Sequence, residues 1–217
     1  MEHDNNLNSV SDEECLAQVA KLIEDYKNCV SIEDAVHILS EIESYAFEGV
    51  ADAAFIVGLA WFDGIYGEPD EGVAFQWFLD AASNGNSEAQ LMLGAMYEKG
   101  RGVAKDEFLA FKWKCESVKS GHPVALHNLA VSYFTGSGCD KDWCKAFDAM
   151  KKSADGGLLD AIGDVGMMYH YGIGVEQNFD EALKWYRKAL ELGGAEADFK
   201  IWLIEKFHRT LPCSKCR

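Results

Sequence analysis

Small and apolar residues stand at helical spacing along most of this chain, and glycine-containing or polar breaks interrupt them at regular intervals. Between Ser87 and Lys99, Ala89, Leu93, Met96 and Tyr97 fall on one helical face, and the stretch stops at Gly100. A helix commonly closes with a left-handed residue, a conformation that glycine takes without steric cost. The next stretch opens at Asp106, whose side chain is suited to accept from the free N–H groups of a first turn. It carries Ala110, Trp113 and Val118 on its apolar face and ends at Gly121. The spacing predicts two antiparallel helices, with the turn Gly100-Arg101-Gly102 reversing the chain between them.

This helix pair recurs with a step of 36 residues. Gly49, Gly85, Gly121, Gly157 and Gly193 keep the step, as do Ala53, Ala89, Ala125, Ala161 and Ala197. So do Gly64, Gly100, Gly136 and Gly172; Ala74, Ala110, Ala146 and Ala182; and the aromatic series Trp61, Tyr97, Tyr133 and Tyr169. Trp77, Trp113 and Trp185 form a further series, with Ala149 in the third place. Asp70, Asp106, Asp142 and Asn178 mark the starts of the second helices, and Gly58, Gly94, Ala130 and Gly166 remove the side chain where two helices must cross closely. A unit of this kind cannot bury its apolar face alone, so tandem units stack.

The run from Ala89 to Trp113, Ala-x-x-x-Leu-Gly-x-x-Tyr-x-x-Gly-x-Gly-Val-x-x-Asp-x-x-x-Ala-x-x-Trp, resembles the Sel-1-like repeat, a relative of the tetratricopeptide repeat. The resemblance implies an all-α fold, a right-handed alpha-alpha superhelix (solenoid) of antiparallel helix pairs that serves as a protein-binding scaffold. Four units match it, at 53–88, 89–124, 125–160 and 161–196. Residues 15–52 keep only part of the pattern and are expected to be a degenerate N-terminal cap, because terminal repeats need a polar outer face. Residues 1–14 are expected to be an acidic flexible tail, and 197–217 a capping helix and short tail. In that closing helix Phe199, Trp202, Leu203 and Phe207 are expected to face the fourth unit. Trp185 is expected in the interior, and Trp143 to relieve the packing altered by Ala130 and Ala149.

The same resemblance places the first helix of each unit on the inner, concave wall. The inward side chains are then Phe55, Leu59, Phe62 and Asp63; Leu91, Ala95, Glu98 and Lys99; His127, Val131, Phe134 and Thr135; and Gly163, Met167, His170 and Tyr171. Such an apolar, aromatic wall suits a partner helix or extended peptide. The competing reading is that some of these, notably Phe55 and Leu91, pack against the adjacent helix. Phe62, Phe134 and Tyr171 lie late in their helices and are the better candidates for contact with a partner.

Composition narrows the partner. The chain has 217 residues, 48% of them hydrophobic, with 20 Lys and Arg against 36 Asp and Glu, a net charge of −16. That apolar content supports a packed core rather than disorder. The charge argues against nucleic acid and anionic membranes, whose phosphates are bound by Lys and Arg, and leaves a basic protein open. The alternative function is therefore an immunity or antitoxin-type inhibitor that covers a basic effector such as a nuclease. The acidic start, Met1-Glu2-His3-Asp4, is unlike a secretory signal, and acids, lysines or glycines break every apolar run, so a cytoplasmic monomer is expected.

Catalysis finds no motif: Gly-x-Ser-x-Gly, a phosphate loop and His-Glu-x-x-His are absent, and neither enzymatic activity nor a cofactor is expected. The seven cysteines are odd in number and irregular in spacing, unlike a disulfide framework. Cys213 and Cys216 form a single C-x-x-C that offers at most part of a zinc site, which makes a metal- or redox-linked module a third reading. Cys139 and Cys144 flank one inter-helix loop and are candidates for a regulatory disulfide.

Overall fold

The computed structural model describes residues 12–194 and 196–207, and its regular elements are all helical. In chain order these are α1 (Asp12–Asn28), α2 (Ile32–Phe47), α3 (Ala51–Asp63), α4 (Glu71–Ser83), α5 (Ser87–Lys99) and α6 (Glu107–Ser117). A single 3-10 turn, Val118–Ser120, extends α6. Then come α7 (Pro123–Thr135), α8 (Trp143–Asp155), α9 (Leu159–Tyr171), α10 (Phe179–Glu191) and α11 (Glu196–Phe207). The expected residues 1–11 of the tail, and His208, Cys213 and Cys216, lie outside the described residues, as does the side chain of Phe207. Residues 12–14, expected in the tail, belong instead to α1.

Packing divides the chain between Lys105 and Asp106 into two compact units. In the first, each helix from α1 to α5 packs on the next; in the second, the same holds from α6 to α11. The predicted capping holds in every repeat. Asp70 accepts from the N–H of Gly72 and Val73, Asp106 from Leu109, Asp142 from Lys145, and Asn178 from Asp180 and Glu181. Gly100, at φ 70°, closes α5 in the left-handed region, as its place in the pattern predicts.

The second glycine of each Gly-x-Gly turn answers to a tertiary constraint. A Cβ on Gly102 would stand 2.1 Å from the carbonyl oxygen of Glu71, the first residue of α4. Gly138 meets Glu107 at 2.0 Å and Gly174 meets Trp143 at 1.9 Å in the same way. The turn of one repeat thus lies directly on the start of the second helix of the repeat before it. Tyr66 takes this place in the first repeat, where it packs on Trp61 with ring centres 4.8 Å apart.

Within the pairs, the small residue of the first helix accommodates a ring from the second. A Cβ on Gly58 would come within 2.7 Å of Phe78, and one on Gly166 within 2.7 Å of Tyr186. These rings belong to a register, Phe78, Lys114, Met150 and Tyr186, whose members are all buried. It lies one residue beyond the tryptophan series. Trp185 is only half-buried, whereas Tyr186 is fully buried, which corrects the interior assignment of Trp185. Trp143 is 55% exposed and relieves nothing; Met150 stands in the ring position of the third repeat instead.

Between repeats a further series acts. Phe75 meets Tyr97, Phe111 meets Tyr133, and Phe147 meets Tyr169, edge to face with ring centres 5.2–5.5 Å apart. Pairs of this geometry contribute about 0.5–1.5 kcal/mol beyond the area they bury. In α11 the buried residues are Ala197 and Ile204, with Ile201 packed beside them. Phe199 and Trp202 stack on each other and stay exposed, so the face expected to close the fourth repeat is the wrong one.

Candidate functional site

The first helices α3, α5, α7 and α9 carry the candidate wall, and the two compact units hold two of them each. On α3, Phe55 and Leu59 are half-buried and Asp63 is exposed. Phe55 lies 5.7 Å and Phe62 6.2 Å from the ring of Phe78, centre to centre, so both rings are partly spent on the second helix. The outer face of Phe62 is covered by the Arg101 guanidinium, 4.5 Å from the ring centre. Arg101 is held in turn by Glu71, to which its Nε donates at 2.8 Å. On α5, Leu91, Ala95 and Glu98 are half-buried and Lys99 is exposed.

In the second unit, Val131 and Phe134 on α7 and Tyr171 at the end of α9 are exposed, at 37%, 36% and 61%. Met167 is half-buried. His170, expected on the open wall, is only 4% exposed. Its ring stacks on Tyr171 at 4.5 Å and meets Phe179 edge-on at 5.6 Å, because the register that holds Phe62 in the first repeat turns toward the second helix. His170 is therefore a packing residue.

His127 is half-buried and its Nε2 stands 3.5 Å from Oδ2 of Asp164 on α9. The hydrogen bond to Asp164 raises the imidazole pKa above its ordinary value; burial opposes this, and the charges of Asp164 and Asp160 support it. Neither acid was singled out by the repeat pattern. Each stands at a helix surface position that the pattern leaves free, and only the stacking of α7 on α9 brings Asp164 to His127.

The cysteines among the described residues form no disulfide. Cys139 is half-buried, with its thiol 3.6 Å from the Ser132 carbonyl, and Cys144 is exposed. Both are free thiols, so the candidate disulfide between them is not formed. Among the described residues no group of three or more His, Cys, Asp or Glu is placed to hold a metal ion. No helix there is long and apolar enough to cross a membrane.

Four copies of the Sel1 repeat match the chain, at residues 51–86, 87–121, 123–158 and 159–194. The chain belongs to the Sel1 repeat family, and its fold is the all-α solenoid of antiparallel helix pairs expected from the sequence. The family frames start about two residues before the units drawn from the glycine and alanine series.

Among solved structures, a protective antigen present in uropathogenic Escherichia coli strains, displaying an SLR fold, matches with a TM-score of 0.79 and 26% identity. The match covers 90% of this chain and 41% of the antigen, so this chain spans about two fifths of that protein's length. A Sel1 repeat protein from Oxalobacter formigenes matches with a TM-score of 0.78 and 24% identity, over 90% of this chain and 78% of that one. A Sel1 repeat protein from Klebsiella pneumoniae subsp. pneumoniae shares 20% identity over 89% of this chain and 94% of that one, with a TM-score of 0.53. No curated protein sequence matches significantly. The Sel1 repeat is commonly a protein-interaction scaffold, and its family is one of non-catalytic repeats.

Proposed function

We propose that this protein is a cytoplasmic adaptor, monomeric, that holds a partner protein or peptide against the inner faces of its first helices. The observation that carries the reading is the exposure of large apolar side chains late in α7 and α9, where Phe134 and Tyr171 stand at 36% and 61%. Both rings keep surface open to solvent, although Tyr171 also stacks on His170. Aromatic anchors with few rotatable bonds are the usual source of binding energy at protein interfaces. Phe62 is a weaker anchor, since Arg101 already covers it.

The test is capture of the partner by the tagged protein, followed by binding measurements with the purified pair. Phe134→Ala and Tyr171→Ala together weaken binding by about 2 kcal/mol or more, the loss typical of hot-spot truncation, while leaving thermal stability nearly unchanged. Unchanged binding by the folded double variant refutes the reading. A second reading, an inhibitor that covers a basic effector, is favoured by the net charge of −16. It predicts that a basic protein is what the capture recovers.

A further inference from the structure

One stripe of α7 is nearly apolar from end to end. Val124, His127, Val131 and Phe134 follow each other at spacings of three, four and three, which sets them in line along about three turns of the helix. Val124 joins Val131 and Phe134 among the exposed residues, at 38%. His127 is the one polar member, and its Nε2 is turned to Asp164 on α9. No Asp, Glu, Lys or Arg stands anywhere in α7. The other repeats interrupt this stripe at its start. Asp52, Glu88 and Asp160 hold the position of Val124 in α3, α5 and α9, and all three are exposed. An acid is what the first turn of a helix favours, so α7 forgoes that stabilisation and extends an apolar surface instead.

The chemistry of the stripe selects what covers it. Apolar side chains spaced by three and four form a ridge that a second helix receives in its grooves. An extended segment laid along the same ridge would lose the water on its backbone N–H and C=O groups with nothing in return, because Val124, Val131 and Phe134 offer no hydrogen bond and the backbone of α7 is paired within the helix. A helix brings its backbone already satisfied. Charge then sets the flanks of that helix. Asp160 of α9 stays exposed at the register of Val124, and the chain as a whole carries −16.

We infer that α7 seats an amphipathic helix of the partner, which lies along it with apolar residues spaced by three and four against Val124, Val131 and Phe134, and with lysines or arginines on its flanks. The inference rests on the adaptor reading and deepens it, by giving the partner's secondary structure, its charge and the helix that receives it.

The probe is the synthetic peptide acetyl-Lys-Leu-Ala-Lys-Leu-Leu-Lys-Lys-Leu-Ala-Lys-Leu-Leu-Lys-amide, a basic helix with leucines at the required spacing. One control replaces both alanines by proline, which keeps the charge and the leucines and breaks the helix; the other replaces every lysine by glutamate. Each is titrated into the full chain while backbone amide shifts are followed by NMR. The basic helix shifts the amides of Val124, His127, Val131 and Phe134 saturably and gains helical circular dichroism on binding, and both controls bind more weakly by about tenfold or more. Val124→Asp restores the acid that the other repeats carry, keeps the melting temperature and weakens binding about tenfold, although its added negative charge would strengthen a merely electrostatic attachment. Equal binding by the proline peptide overturns the helical occupant and leaves the adaptor reading standing, since that reading falls only if the Phe134→Ala, Tyr171→Ala double variant keeps its captured partner. Shifts confined to helices other than α7, or binding that folded Val124→Asp leaves unaltered or strengthens, overturn the seat. Should Val124→Asp misfold, Val131→Thr, of the same shape, carries the same test, and undiminished binding there overturns the proposal.

Discussion

At Gly102 the backbone has φ 68°, and an added Cβ would stand 2.1 Å from the Glu71 carbonyl oxygen. Gly85 has φ 94° but open space around its missing side chain. The left-handed backbone alone costs a non-glycine residue about 1–2 kcal/mol, so Gly85→Ala loses about that much in urea unfolding. Gly102→Ala loses more, because the turn must also lift off the start of α4. Equal losses at the two sites would show that the close approach has enough slack to absorb a methyl group. His127 supplies a second prediction at this scale. Its pKa is raised chiefly by Asp164, so its NMR titration midpoint lies above 6.5 and falls in Asp164→Asn. The protonated pair stabilises the fold fully below the ordinary histidine value, and this contribution is lost as pH rises through the raised value. Stability that increases over that window would contradict the pairing.

Among the elements, α10 shows how far the sequence could be read. Its start at Asn178, its apolar stripe and its end were all legible, because caps and 3.6-residue periodicity are properties of a single stretch of chain. Which neighbouring aromatic turns inward was not, since Trp185 and Tyr186 are both large rings and their directions differ by about one hundred degrees on the helix. Contact with Gly166 of α9 decides it in favour of Tyr186. Tyr186→Ala is expected to cost about 3–5 kcal/mol, as for other large buried side chains, and half-buried Trp185→Ala distinctly less. Thermal or urea unfolding of the two variants checks the order, and the reverse order would return Trp185 to the core. The same ambiguity misassigned α11, where Phe199 and Trp202 look like a packing face but Ala197 and Ile204 are the residues that pack. His170 differs for a related reason: the register that comes with the resemblance puts it on the open wall, yet its ring turns toward Phe179.

For the whole molecule, 20 basic against 36 acidic residues set the long-range field. If the partner is basic, its association rate drops steeply, by about tenfold or more, between low and physiological salt, with much less change in dissociation. Stopped-flow kinetics against salt tests this, and an insensitive association rate leaves the apolar anchors Phe134 and Tyr171 as the whole of recognition.

The sequence by itself determined the period, the helix ends, the caps and the family, because each depends on residues within one turn or one repeat of each other. Tertiary structure alone decided which rings are interior, that Gly102, Gly138 and Gly174 carry the turns onto neighbouring helix starts, and that Val124, Val131 and Phe134 stay exposed along α7. These depend on how helices far apart in sequence approach and cross, and a position in a repeat gives the face of a helix without giving the distance to what lies opposite.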